Sequence, residues 1–329
     1  MDFSQYTVDS AGNVHLSDDL NAWMISSSWR RHGLYHRICQ QEYRSQHGGP
    51  PPVRDDDGDL RDHGVSLLPR VLAAEECSAF TQSIDGYVEG LARDGQTGLP
   101  DTYFVPWSQY RAGILRRVLP EILSQDLTAK VEDYFGCHFQ VLSVSLNRYL
   151  AEMGRDVSFQ WHRDEEPPQQ LHLMVYLSGA SDEGGRTEVL DRATTRRAAE
   201  NGYSYPPLVD RSDDLAEILG AEAQAGTAIV PDLNVGGALM FAAPRNLHRG
   251  VKPCAGQRDT LLILLMPSPL PWQERLGANF RRILSSGKHT TCCLLNPFDG
   301  FSEATLAQHG QAPEWAKLGE MFPPDDSLY

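Results

Sequence analysis

From Gly136 onward the chain breaks into short runs rich in β-branched and apolar residues, at 139–149, 171–177, 186–190, 228–231, 238–241 and 260–266, with glycine, proline and polar segments between them. Runs of this length cannot each form a helix with its own buried face. Their spacing and punctuation predict short strands folded over one another in a sandwich or barrel. Ahead of them the pattern is different. A short strand at 65–68 is followed by Pro69 and a helix that runs through Ala73, Ala74, Glu75 and Glu76 to about residue 92. A second helical region spans about 110–135, and a further helix is expected around 20–45. Residues 48–59 combine a proline run, glycines and acidic residues, and read as a linker. The stretch 191–226 is polar, helix-prone and long, so it reads as an insertion placed to cap the barrel mouth. Beyond Pro267 a helical and loop-like tail, with Trp272 and Trp315, is expected to pack outside the sheet.

Composition narrows the partners. The 329 residues carry 44 acidic and 29 basic side chains, a formal net charge of -15. That balance argues against nucleic acid as the main partner, because neutralising phosphates requires clustered Lys and Arg. It argues equally against anionic membrane surfaces. With 41% hydrophobic and 22% charged residues the chain can bury a substantial core. No apolar run approaches the ~18 to 20 residues of a membrane span. The amino terminus MDFSQYTVDS lacks the basic and apolar regions of a signal peptide, so a cytoplasmic location is expected. The 6 cysteines show no CxxC or CxxH spacing and read as reduced, mostly packing residues, with the vicinal Cys292 and Cys293 poorly placed for a disulfide.

Chemistry concentrates in the histidines. In FQWHRDEE, His162 and Asp164 are separated by one residue at the end of an expected strand, so both point to the same face. Two such ligands and a second histidine from another strand would make the two-histidine, one-carboxylate triad of non-haem iron(II) sites, which leaves coordination positions open. Candidates for that second histidine are His172, His248, His289 and His309. His248 stands out because a strand and turn precede it and Arg258 follows at the head of a strongly apolar strand. A guanidinium there calls for an anion, and its fork matches a carboxylate. Thr260, two residues on and on the same face, can add a hydroxyl donor. Trp161 and Arg163 flank the ligands and point away from them, which suggests packing.

Residues 146–267 resemble the core of the iron(II)- and 2-oxoglutarate-dependent oxygenases, and more specifically their prolyl-hydroxylase-like branch. Four stretches carry the likeness in order. Asn147-Arg148-Tyr149 resembles the strand that offers a tyrosine, and sometimes an asparagine, to the cosubstrate. His162-Arg163-Asp164 matches the HxD motif. Val175-Tyr176-Leu177 with Gly184-Gly185-Arg186-Thr187 resembles the family's strand and GGxT turn. Gly237 to Phe241, then His248 and Arg258, match its ending. The upstream GVSLLPRVLAAEECSAF is similar to the strand and helix that open many members.

This resemblance implies a mainly β fold with supporting helices, a double-stranded β-helix of the jelly-roll, cupin-like kind. Residues 60–267 would form it, with 1–59 as an amino-terminal extension and 268–329 as a tail. It further implies Fe(II) held by His162, Asp164 and His248, with 2-oxoglutarate as cosubstrate and O2 as oxidant. Arg258, Thr260, Tyr149 and Asn147 would line the cosubstrate pocket. The implied reaction hydroxylates an unactivated C–H of a small or amino-acid-derived, possibly carrier-linked, molecule and releases succinate and CO2. An acid at 164 favours hydroxylation or a related oxidation over halogenation. A hydroxylase of prolyl or other peptide side chains, and a non-catalytic cupin-like metal-binding or sensor protein, remain open. Neither the substrate nor the oligomeric state can be read.

Overall fold

The computed structural model describes residues 6–8, 14–16, 35–53, 59–94, 103–151, 157–164, 169–181, 183–206, 208–220, 228–284 and 302–309. The first part of the helix expected at 20–45, and His289, Cys292, Cys293 and Trp315, lie outside them.

In chain order the elements are β1 (Tyr6–Val8), β2 (Val14–Leu16), a helix α1 at 35–47, β3 (Val65–Leu68), α2 (Ala74–Arg93), β4 (Tyr103–Phe104), α3 (Gln109–Ile122), α4 (Gln125–Phe135), β5 (Phe139–Leu150) and β6 (Leu171–Tyr176). There follow β7 (Arg186–Val189), α5 (Arg192–Glu200), α6 (Leu215–Leu219), β8 (Ala238–Phe241), β9 (His248–Val251), β10 (Gln257–Pro267), α7 (Trp272–Ile283) and α8 (Glu303–His309). The helical region expected at 110–135 is two helices. Leu123 leaves the helical conformation, and the Ser124 hydroxyl accepts from Leu127 N–H at 3.4 Å to start α4 afresh. Gly136 ends α4 at φ 68°, where its N–H reaches Glu132 O at 2.7 Å and the chain turns into β5.

Six strands form one antiparallel sheet in the order β3-β8-β6-β10-β5-β4. Facing it is a smaller sheet in which β7 pairs with β9. Single bridges extend that sheet on both sides, His162 to His248 and Val189 to Ile229. The run at 228–231 therefore contributes one bridge in place of the expected strand. Pro231 within it has no N–H to continue a ladder.

Two apolar layers follow from strand alternation. On one face of the large sheet, Leu171, Leu173 and Val175 of β6 and Leu261, Ile263 and Leu265 of β10 pack with Phe80 and Ile84 of α2, Leu115 of α3, Phe135 of α4 and Trp272 of α7. On the other face, between the sheets, Val65, Tyr176, Val189, Leu239 and Phe241 form a second cluster. β10 is buried on both faces, which is why it reads as an unbroken apolar run. A third cluster lies outside the small sheet. Trp161, Leu190 and Leu247 are covered there by Ala198 of α5 and Ile218 and Leu219 of α6. The described part of the 191–226 insertion thus seats apolar side chains against Trp161, Leu190 and Leu247, next to the strands that carry the histidines. Among the described residues no helix is long and apolar enough to cross a membrane.

Candidate metal and cosubstrate site

His162 and His248 meet backbone to backbone. His162 N–H donates to His248 O at 3.0 Å, and His248 N–H returns to His162 O at 2.9 Å. This exchange sets the two imidazoles side by side with ring centroids 4.4 Å apart. Two residues along the same segment, Asp164 comes back to the same face, with its N–H 3.4 Å from Ala243 O. Its Oδ1 lies 3.6 Å from His162 Nε2 and 3.7 Å from His248 Nε2. Among the described residues these three form the only group of His, Cys, Asp or Glu whose ligand atoms all lie within 4.8 Å of one another.

The hydrogen bonds behind the rings fix their tautomer. His162 Nδ1 faces the Gln160 carbonyl at 2.7 Å and His248 Nδ1 faces the Asn246 carbonyl at 3.0 Å. A carbonyl only accepts, so Nδ1 carries the proton in each neutral ring and both Nε2 lone pairs point toward Asp164. Burial, and then the neighbouring His162, pull the His248 imidazole down to about 3, so it stays neutral at pH 7 and is not an ion-pair partner of Asp164 despite their proximity. Two lone pairs and a carboxylate that converge this way suit a divalent cation. The separations of 3.6 and 3.7 Å are wider, by more than half an ångström, than the ~3.0 Å expected between adjacent ligands with bonds of ~2.1 Å at right angles.

A second constellation lies deeper along β5 and β10, where register pairs Tyr149 with Arg258 and Asn147 with Thr260. Arg258 is only 2% exposed. Its Nη1 donates to the Arg186 and Val251 carbonyls, and its guanidinium carbon sits 4.2 Å over the Tyr149 ring. Gly185 makes the Arg186 contact possible. At φ +76°, a Cβ there would meet Val251 O at 2.6 Å, so only glycine allows the turn into β7 to approach the end of β9. Among the described residues no carboxylate pairs with Arg258. Its Nε, the Thr260 Oγ1 and the Asn147 Oδ1 are buried with no hydrogen-bond partner. Rotating the Asn147 amide would let Ser145, 3.2 Å away, donate to Oδ1 and would turn Nδ2 into the same space. Buried donors without partners cost free energy, and here they gather around one uncompensated positive charge. A carboxylate would satisfy them.

The structure thus gathers the seven residues singled out from the sequence into two clusters, His162, Asp164 and His248 in one and Arg258, Thr260, Tyr149 and Asn147 in the other. His172, considered as a second ligand, lies on the same inner face but outside the triad. Its Nε2 is 3.5 Å from Asp164 Oδ2 and 3.1 Å from Gln170 Nε2. Phe241 was not foreseen. It stands edge-on to His172 and His248, with centroids 5.4 and 5.0 Å away, and walls the triad on the β8 side. The Gln160 and Asn246 carbonyls that orient the ligands were invisible in the sequence because any residue type supplies a carbonyl. Trp161 packs away from the site with Leu190 and Leu247, as its position next to His162 suggested.

No protein-family profile matches the sequence, and no curated protein matches it. Several solved structures resemble the fold. The non-heme monooxygenase ThoJ, in its apo form, shares 13% identity over 65% of this chain and 77% of its own, with a TM-score of 0.45. HygX from Streptomyces hygroscopicus, with nickel and 2-oxoglutarate bound, shares 17% over 67% of this chain and 90% of its own, at 0.41. SnoK, a non-heme alpha-ketoglutarate-dependent carbocyclase from nogalamycin biosynthesis, shares 14% over 65% and 84%, at 0.42. Likeness this distant leaves function to the side chains themselves.

Proposed function

We propose that the chain is an iron(II)- and 2-oxoglutarate-dependent oxygenase that hydroxylates an unactivated C–H of a small or amino-acid-derived molecule. The observation that carries this reading is the pairing of two half-sites on one inner face. Two imidazoles, each with Nδ1 turned to a backbone carbonyl, present Nε2 beside Asp164. Farther along the face, Arg258 and Thr260 hold unmet donors with no acid among the described residues to receive them. A ligand with a chelating keto-acid head and a carboxylate tail fits both. The strand order supports the same reading, because the large sheet β8-β6-β10-β5 faces the line formed by His162, β9, β7 and Ile229, the connectivity of a double-stranded β-helix. The likeness to the prolyl-hydroxylase-like branch rests on the sequence stretches alone.

Bound iron(II) would supply the centre at which O2 oxidises the substrate while 2-oxoglutarate is converted to succinate and CO2. The protein's own residues bind and orient. His162 and His248 are held as Nε2 donors by the Gln160 and Asn246 carbonyls, so no proton need leave them when a cation binds. Asp164 adds the one negative charge of the ligand set. Arg258, stiffened by two carbonyls and the Tyr149 ring, keeps its remaining donors aimed at the distal carboxylate, which it draws in against the global charge of -15. Thr260 donates its hydroxyl beside it. A ligand set with an acid at 164 favours hydroxylation over halogenation.

The test is anaerobic loading of the metal-free protein with iron(II) and 2-oxoglutarate, followed by oxygen. Succinate should form even without added substrate. A protein that binds both yet yields no succinate under oxygen would overturn the assignment in favour of a cupin-like binding role.

A further inference from the structure

The segment that carries His162 is gripped from two sides. On one side its backbone pairs with β9 at His248. On the other, the partners come from the polar insertion after α5. Trp161 N–H donates to Ser212 O at 2.9 Å, Gln160 Nε2 to Arg211 O at 2.6 Å, and Arg163 Nε to Ser204 O at 2.8 Å. Tyr203 closes the arrangement. Its hydroxyl donates to Trp161 O at 2.7 Å and accepts from Ser212 N–H at 2.9 Å, so one side chain joins the ligand segment to the strand-like stretch that flanks it. Arg163 lies 3.8 Å over the Tyr205 ring, and the Tyr205 hydroxyl reaches Pro244 O at 3.1 Å, near the loop that leads to His248. Beneath them Trp161 is 0% exposed.

We infer that this insertion is an outer brace of the metal site, and that Tyr203 is a positioning residue that fixes the backbone from which His162 projects. The inference rests on the metal reading above and deepens it. Gln160 has two roles in the same place, since its side chain is tied to Arg211 and its carbonyl receives His162 Nδ1–H. Bonds from the insertion therefore set both the position of His162 and the tautomer that exposes Nε2. Hydrogen bonds one step removed from a ligand commonly decide whether it is pre-organised for its metal. Every contact from the insertion named here is made to Gln160, Trp161, Arg163 or Pro244, neighbours of the candidate ligands in the chain, and not to the ligand side chains.

Tyr203→Phe removes one hydroxyl, keeps the ring, and leaves Trp161 O and Ser212 N–H without their shared partner. Co(II) titration of the metal-free protein should show affinity reduced by about 10- to 100-fold with an altered visible spectrum, the range typical when a ligand's supporting partner is lost. The melting temperature of the metal-free protein is followed in parallel, because a purely structural role would lower it without changing the affinity of the folded protein. Gln160→Leu provides a second cut at the same brace and should also weaken Co(II) binding. Asn201→Ala, which breaks a bond inside the insertion to Ile218 O at 3.3 Å, should bind Co(II) like wild type. Wild-type affinity and spectrum in both brace variants would overturn the brace alone. A wild-type chain that takes up no Co(II) would overturn the metal reading and the brace with it.

Discussion

Two arginines, one on each face of the β5–β10 ladder, are buried to nearly the same degree, Arg148 at 3% and Arg258 at 2% exposure. Facing the helices, Arg148 is fully matched. Its Nε and Nη2 each lie 2.7 Å from the carboxylate of Asp259, its register partner, and its Nη1 lies 2.7 Å from Asp85. Facing the inner space, Arg258 has two carbonyls, an aromatic ring and an unmet Nε. The chain neutralises a buried guanidinium completely where the role is structural. Where it does not, an anion from outside is expected to complete the set.

Four substitutions test this contrast. The largest effect should come from His162→Ala, which removes a ligand from the triad. Metal binding and succinate formation should fall to background in calorimetry and turnover assays, and retention of wild-type activity would refute the assignment. On the structural face, Asp259→Ala strands Arg148 and should cost about 3 to 5 kcal/mol in chemical denaturation, with the folded fraction still binding 2-oxoglutarate. On the ligand face, Arg258→Ala should raise the 2-oxoglutarate requirement by about 10- to 150-fold, the equivalent of a charge-assisted hydrogen bond of ~1.5 to 3 kcal/mol. It should cost the ligand-free protein far less than Asp259→Ala, because it frees only the Arg186 and Val251 carbonyls and leaves no charge unpaired. If Arg258→Ala instead destabilised the free protein as much as Asp259→Ala, the two arginines would be alike and the contrast would fail. The smallest effect is expected from Thr260→Val, about a threefold to tenfold weakening of 2-oxoglutarate binding with little change in kcat.

Legibility in the sequence followed physical type. β8 and β10 were plain because their apolar runs are buried on both faces. β9 was hidden, since its four residues place Arg249 and Gly250 between two turns and offer no apolar run. The break between α3 and α4 depends on the cap at Ser124, a local hydrogen bond that periodicity does not encode. The clustering of His162, Asp164 and His248 was legible because metal binding demands particular side chains at particular spacings, and the buried Arg258 because a guanidinium stands out in an apolar strand. The second ring of contacts was not. The Gln160 and Asn246 carbonyls belong to the backbone, and Tyr203 reaches Trp161 across an insertion whose polarity suggested a solvent-facing cap.

The mutual backbone bridge between His162 and His248 has a kinetic consequence. These residues are far apart along the chain, and β6, β7 and β8 all lie between them, so the bridge closes only after those strands have been laid down. A refolding chain should therefore acquire helices and its apolar layers before the proposed metal site can form. If the proposed metal reading holds, metal uptake would report the last stage of folding, and a chain caught earlier would bind none.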